Sequence, residues 1–335
     1  MTIIKGIVIE NIHYKTNDIK YAIANNDPIE EKLNVIIVIS NPCLYAKRYS
    51  LMREFVKRFE EEEENVNLFV VELIYAGQRF IVTDKNNKNH LQIKTDVPIW
   101  HKENMINLGV KYLLPANYKA FAWIDADIEF DSSTWALDTL KILNGCKDVV
   151  QVFSHCVDMD ADKDNLKISN SFGYCFSKGK SYNVKTNNGN NYWHPGFAWA
   201  MTRKVYERVG GLFDKAILGS GDLVMAIAFI NKIEQSAADH YKDYSEDYQN
   251  NMLEFQKKAK TFRLGYVPGV IRHHYHGTKE NRQYGERWKT LVKFNYSPAK
   301  HITYDAEGIL IPTAEFTEDF KVDVLNYFKE RKEDD

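Results

Sequence analysis

The run Val35-Ile36-Ile37-Val38-Ile39-Ser40, bounded by Asn34 and by Asn41-Pro42, does most to limit what this chain can fold into. A continuous β-branched run has no polar face to turn to water, so it suits a strand covered on both sides. Tyr45 to Glu62 follows with Leu51, Met52, Phe55, Val56 and Phe59 at helical spacing, and Val66 to Leu73 reads as another strand. Strand, helix and strand in that order predict a parallel α/β sheet. Further along, a helix is expected from Lys102 to Leu114, ending before Pro115, and a strand from Lys119 to Ile124. A helix from Trp135 to Leu143, capped by Ser132, Ser133 or Thr134, precedes a strand from Asp148 to Phe153. One strand is expected within Ile3 to Ile9. Gly77 to Val97 reads as loop, and residues 155–192, rich in Asn, Ser, Asp, Gly and Lys, read as a long mobile loop region. Phe316 to Lys332 has helical apolar spacing.

Charge narrows the function. Lysine plus arginine (44) nearly balances aspartate plus glutamate (46), for a net charge of -2. That leaves no cationic excess for a protein held to nucleic acid by phosphate contacts. Met1 to Glu10 lacks the long apolar stretch of a signal peptide or membrane anchor, so a cytoplasmic protein without a membrane span is expected. Cys43, Cys146, Cys156 and Cys175 show neither close metal spacing nor a disulfide framework. The 20 tyrosines fit a sugar-handling protein and an ordinary aromatic core equally well, so they decide nothing.

Three motifs carry chemistry. In Ala122-Trp123-Ile124-Asp125-Ala126-Asp127-Ile128-Glu129 an apolar strand runs into two aspartates, at the carboxyl end where open α/β sheets bind ligands. Two such carboxylates suit Mg²⁺ or Mn²⁺ shared with phosphate oxygens, although the same pattern occurs in surface turns and caps. In Val270-Ile271-Arg272-His273-His274-Tyr275-His276-Gly277 three histidines follow a short apolar strand. One of them completes a divalent site, His276 first and His274 second, or the three form a solvated turn. Nearby Arg272, Lys279, Arg282 and Arg287 hold diphosphate charge or decorate a helix. In Gly219-Ser220-Gly221-Asp222-Leu223 a glycine turn delivers Asp222 to the start of an apolar helix, as a cap or as a catalytic base.

Taken in order, these motifs resemble the nucleotide-sugar glycosyltransferases of the GT-A fold. The match is closest to the soluble, inverting type of bacteria and large DNA viruses. The glycine-turn acid and late histidine are also similar to the β-1,4-galactosyltransferase type. The resemblance is carried by Val35 to Asn41-Pro42, by Trp100-His101-Lys102-Glu103-Asn104-Met105-Ile106-Asn107, and by Asp125-Ala126-Asp127. His194-Pro195-Gly196-Phe197-Ala198-Trp199, then Val209-Gly210-Gly211-Leu212-Phe213-Asp214, Gly221-Asp222 and His276 complete it.

The resemblance implies a single α/β domain, GT-A (Rossmann-like), over residues 31–295, its mixed, mostly parallel sheet flanked by helices and its C-terminal half elaborated. Residues 1–30 would be an N-terminal extension, and 296–335 a C-terminal extension packing on the domain or on a second subunit of a homo-oligomer. It further implies Mn²⁺ or Mg²⁺ on Asp125, Asp127 and His276, with His274 as the other histidine. A nucleotide diphosphate sugar, UDP-linked by preference, would contact Asn41, Lys102, Asn107, Asp125, Trp193 and Trp199. Asp222 would be the base that activates a glycan or other hydroxyl acceptor. Trp193, Phe197 and Trp199 form an acceptor platform or pack under the site. The chain departs from many relatives in carrying Asp222 alone where they carry a pair of acids. The rival readings are a sugar-nucleotide nucleotidyltransferase or pyrophosphatase, and a non-catalytic nucleotide- or glycan-binding protein on the same scaffold.

Overall fold

The computed structural model describes residues 2–4, 7–9 and 27–335, apart from 237, 279 and 285. In chain order the strands are β1 (Thr2–Ile4), β2 (Ile7–Ile9), β3 (Leu33–Ser40), β4 (Val66–Tyr75), β5 (His90–Thr95), β6 (Ala120–Ile124), β7 (Ile128–Phe130) and β8 (Val149–Gln151). They continue with β9 (His155–Met159), β10 (Asn165–Ser171), β11 (Trp193–His194), β12 (Ala198–Thr202), β13 (Leu264–Tyr266), β14 (Val270–His273), β15 (Ile302–Tyr304) and β16 (Leu310–Pro312). The helices of six residues or more are α1 (Ala46–Glu62), α2 (Lys102–Tyr112), α3 (Trp135–Leu143), α4 (Phe172–Ser177), α5 (Arg203–Val209), α6 (Gly221–Phe229), α7 (Glu246–Ala259), α8 (Trp288–Lys293) and α9 (Glu318–Glu330).

A seven-stranded sheet in the order β13-β8-β12-β6-β3-β4-β5 forms the centre. Its neighbours run parallel except around β12, which is antiparallel to both β6 and β8. This is the mixed, mostly parallel sheet expected from the sequence. The β-branched run sits in β3, buried on both faces. Leu33, Val35, Ile37 and Ile39 meet α1 (Met52, Phe55, Phe59) and α3 (Trp135, Leu140), whereas Ile36 faces the cluster containing α2, α6 and α7. Burying both faces removes the alternation a half-exposed strand would show, which is why the run is continuous. Phe316, Phe320, Val324, Tyr327 and Phe328, from α9 and the residue stretch before it, pack into that same cluster. Thr317 caps α9 by accepting from the Phe320 N–H.

A smaller five-stranded sheet, ordered β11-β10-β9-β14-β7, joins the carboxyl ends of the central strands. Within it β7 pairs antiparallel with β14, placing His273 opposite Ile128. That pairing lays the histidine run beside the aspartates.

Several elements differ from expectation. Residues 155–192 are not one long loop, because β9, β10 and α4 lie within them. β10 is half solvated, with Leu166 and Ile168 exposed, and β9, although buried, is short and interrupted by Asp158, so no continuous apolar run marks either. Gly77 to Val97 contains β5, a polar edge strand in which only Ile93 and Thr95 are buried. Ile3 to Ile9 is two short strands, β1 and β2, paired antiparallel. At the start of α3 no side chain caps the helix; the Thr134 hydroxyl donates to Asp138 instead. Among the described residues no helix is long and apolar enough to cross a membrane.

Candidate active site

β6 ends at Ile124, and the chain leaves the central sheet through Asp125-Ala126-Asp127 before entering β7. The Asp125 N–H donates to the Phe197 carbonyl at 2.8 Å, and the His274 N–H donates to the Asp127 carbonyl at 2.8 Å. Backbone bonds to the residue before β12 and the residue after β14 therefore fix both aspartates. Phe197 adopts φ +79°, a left-handed conformation that costs a bulky residue about 1–3 kcal/mol. Its ring stacks on His194 (4.0 Å between centroids) and leans on His273 (4.6 Å).

Asp127, His273 and His276 each offer one ligand atom, and these atoms lie within 4.8 Å of one another. His276 Nε2 is 2.7 Å from Asp127 Oδ2, and His273 Nε2 is 3.6 Å from the same oxygen. Asp127 Oδ1 and His273 Nε2 are buried without a hydrogen-bond partner. A native interior seldom leaves such atoms unmet, so two orphans within one three-residue cluster fit a cation ligand set. One carboxylate and two imidazoles form an open three-donor set suited to a divalent transition ion more than to Mg²⁺, which prefers oxygen. His273 is backed by the buried Asp158 carboxylate, 2.9 Å from its Nδ1, an arrangement that orients a ligating imidazole.

Protonation follows from burial and charge. Burial pulls His276 down to about 4 against the opposing pull of Asp127, so it is neutral and able to ligate at pH 7. Burial also acts to lower His273, but Asp127 and Asp158 outweigh it and carry the ring above its ordinary 6.5. Burial works to raise Asp127, and His273 and His276 reverse this and hold it well below the usual carboxylate range. A ring held above its ordinary 6.5 takes up a cation in competition with a proton. Mn²⁺ affinity is expected to rise as pH passes above that ordinary value, with proton release on binding. Calorimetry in buffers of differing ionisation enthalpy measures this, and a flat affinity with no proton release would contradict it.

A second group lies beside the first. Lys102, at the start of α2, pairs with Asp125 Oδ1. Burial would lower the lysine, but Asp125 and Asp222 hold it above its ordinary range, so it stays cationic. Asp125 itself is raised, by burial first and by the neighbouring Asp127 charge, with Lys102 opposing. Asp222 stands in the first turn of α6, its Oδ1 accepting from the Leu223 N–H at 2.8 Å. A Cβ at Gly196 would lie 2.8 Å from Asp222 Oδ2, and one at Gly221 would lie 2.5 Å from the Glu103 carboxyl, so a larger residue at either place would push that carboxyl aside. Glu103 is buried, and that burial lifts its carboxyl to about 8.

Not every residue named from the sequence comes to this place. His274 faces Glu129, 3.5 Å away, on the other side of the strand from Asp127. Asp125 belongs with Lys102 and is outside the three-residue cluster. Asn41 is consumed by its own turn, accepting from the Tyr45 N–H and donating to the Tyr45 carbonyl. Asn107 bonds Leu212 through both N–H and carbonyl groups and lines a cavity of about 480 Å³ with Tyr206, Gly211, Asp214 and Tyr304. Trp199 is core: it stacks on Trp123 and donates from Nε1 to the Pro195 carbonyl. Trp193 is buried edge-on against Phe172 and Tyr182. Large aromatics beside a motif are buried because burial is where their area gains most. Arg272 pairs with Asp131, Arg287 bonds Ser220 and Tyr327, and Arg282 alone reaches the histidines, with Nη2 2.7 Å from His276 Nε2. Lys279 lies outside the described residues.

His273, Asp158, Glu103 and Glu333 had not been singled out. Alternation along a strand gives the signal for His273. As the last residue of β14 it points opposite to His274, and the chain then turns so that His276 swings back beside it.

No family model matches the sequence, and no curated protein matches it. Among solved structures, a mannosyltransferase from Pyrobaculum calidifontis, in complex with GDP-Man and Mn²⁺, is 14% identical. That match covers 90% of this chain and 71% of the other, with a TM-score of 0.43. A Drosophila β-1,4-galactosyltransferase 7 variant, in complex with manganese, UDP-Gal and xylobiose, is 12% identical over 58% of this chain and 60% of that one, at a TM-score of 0.32. An inositol-1-phosphate CTP transferase from T. maritima is 12% identical over 73% and 89% of the two chains, at 0.33. Similarity this distant assigns no activity. The sheet order and the arrangement of side chains stand on their own.

Proposed function

We propose that the chain is a metal-dependent glycosyltransferase of the GT-A kind, which transfers a sugar from a nucleotide diphosphate donor, a UDP-sugar by preference, to an acceptor hydroxyl with inversion. The observation that carries this reading is the convergence of Asp127, His273 and His276 beside the Lys102–Asp125 pair and Asp222. A divalent cation held by the three would offset the charge that develops on a diphosphate leaving group. Lys102, kept cationic by two carboxylates, adds fixed positive charge near the donor and holds Asp125 in place. Asp222 takes the acceptor proton as the acceptor oxygen bonds to the anomeric carbon. The anomeric carbon–oxygen bond breaks with its electron pair leaving on the diphosphate, so the products are a glycoside and a nucleoside diphosphate. Attack from the face opposite the leaving group inverts the centre. Glu103, with its carboxyl lifted to about 8, holds its own proton at neutral pH.

The test is to incubate the protein with individual nucleotide sugars and Mn²⁺, Mg²⁺ or Zn²⁺, and to assay release of nucleoside diphosphate. Release of nucleoside diphosphate that depends on both donor and metal is expected, with Mn²⁺ above Mg²⁺. Release of pyrophosphate or nucleoside monophosphate instead would place the chain among nucleotidyltransferases or pyrophosphatases. Binding of donor with no turnover under any acceptor would leave a nucleotide-binding protein.

A further inference from the structure

The two converging histidines are built alike. Each turns Nε2 toward Asp127 and Nδ1 away, and a buried carboxylate stands behind each Nδ1. For His273 that group is Asp158, at 2.9 Å. For His276 it is Glu333, whose Oε2 lies 3.9 Å from Nδ1 and whose side chain is fully buried. Glu333 arrives from the segment after α9, remote in sequence from the strand that carries the histidines.

Its position is determined from several sides. Arg48 donates to its carboxylate at 2.6 and 2.7 Å, and Arg331 Nε donates at 2.6 Å. Gly277, at φ +83°, lets the segment press on the histidine turn, since a Cβ there would fall 3.0 Å from the Lys332 carbonyl and 3.2 Å from Glu333 Cα. Next to it, the Asp334 carboxylate accepts from the Ala46 and Lys47 N–H groups at 3.0 and 2.8 Å, fastening the segment to the start of α1. Burial acts against the Glu333 charge, but Arg48, Arg331 and His276 hold the group far below the usual carboxylate range. Burying one carboxylate with two guanidiniums is costly beside apolar packing, so the arrangement calls for a use.

His276 Nε2 lies 2.7 Å from both Asp127 Oδ2 and Arg282 Nη2. A neutral ring that ligates a cation through Nε2 carries its one proton on Nδ1, facing Glu333. The 3.9 Å gap exceeds a hydrogen bond. A cation drawing on Nε2 makes the Nδ1–H a stronger donor and favours closing the gap. Metal-ligating histidines nearly always donate their other N–H in this way.

We propose that Glu333 is a positioning residue for His276, as Asp158 is for His273, so that the segment after α9 sets the divalent-cation affinity of the site. This rests on the metal-site reading above. The experiment is Mn²⁺ binding to the full chain without donor, followed by electron paramagnetic resonance of free Mn²⁺, with a thermal melt of each metal-free variant. Glu333→Gln and Asp158→Asn are each expected to weaken Mn²⁺ by roughly 10–100-fold. Asp334→Asn, which alters only the α1 contact, is expected to bind as the unaltered chain does. Wild-type affinity in E333Q alongside a weakened D158N would overturn the proposal and leave the metal site standing. Wild-type affinity in Asp127→Ala would instead remove the metal-site reading itself. Should E333Q fail to fold, Glu333→Asp keeps the charge for the arginines while withdrawing it from Nδ1. E333D must then show weakened Mn²⁺ binding at an unchanged melting temperature, and undiminished binding in it overturns the proposal.

Discussion

Asp127→Ala is expected to weaken Mn²⁺ binding by more than ~100-fold and to reduce metal-stimulated transfer to background, while the protein stays folded. Asp127 is the only anionic member of the three-donor cluster, so without it the cation meets two imidazoles and the nearby Arg282 guanidinium with no opposing charge. Losing a primary ligand must cost more than losing an orienting partner. The fold should persist because the tie that holds this turn, from the His274 N–H to the Asp127 carbonyl, is a backbone bond that alanine retains. Mn²⁺ titration together with a circular dichroism melt checks both halves. A variant that keeps Mn²⁺-dependent turnover would show that the cation binds elsewhere.

Asp222→Asn is expected to lower kcat by about 10²–10⁴-fold with nucleotide and Mn²⁺ affinity unchanged. The amide oxygen can still accept from the Leu223 N–H, so the start of α6 survives, but an amide cannot take the acceptor proton. The separation of kcat from binding is the informative part. A structural cap, if lost, would lower stability and every activity together, whereas a base changes the chemical step alone. Steady-state kinetics with donor-binding calorimetry measures the split, and ordinary turnover in D222N would remove Asp222 from that role.

The residues that were legible in the sequence are those whose surroundings are local. The β3–α1–β4 unit follows from one buried run and one amphipathic helix. The Asp125-Ala126-Asp127 turn follows from an apolar strand that stops at two acids. What the sequence hid depends on partners far along the chain. Residues i and i+2, such as Asp125 and Asp127, share a face only while a strand continues. Past Ile124 the two aspartates part, one to Lys102 and the other to the histidines. For the same reason His273 and His276 share a face although His274 and His276 are the pair spaced by two: β14 ends at His273 and the turn resets the direction. Trp193 and Trp199 flank the motif in sequence, yet packing claims them, as hydrogen bonds claim Asn41 for its own turn and Asn107 for Leu212. Strands β5 and β10 carry too few buried apolar residues to announce themselves, and β9 is short and broken by Asp158. Glu333 gives no sequence signal at all, since its meaning comes from Arg48, Arg331 and His276 meeting it in space.

Everything proposed for this site depends on Asp127, His273 and His276 sharing one divalent cation. Anomalous diffraction at the manganese edge, from crystals of the full chain soaked in Mn²⁺, addresses it without relying on activity. A single strong peak is expected in contact with Asp127 and with the Nε2 atoms of His273 and His276, with Asp158 still bonded to His273 Nδ1. A peak at His274 and Glu129, or none within reach of Asp127 at saturating Mn²⁺, would contradict it.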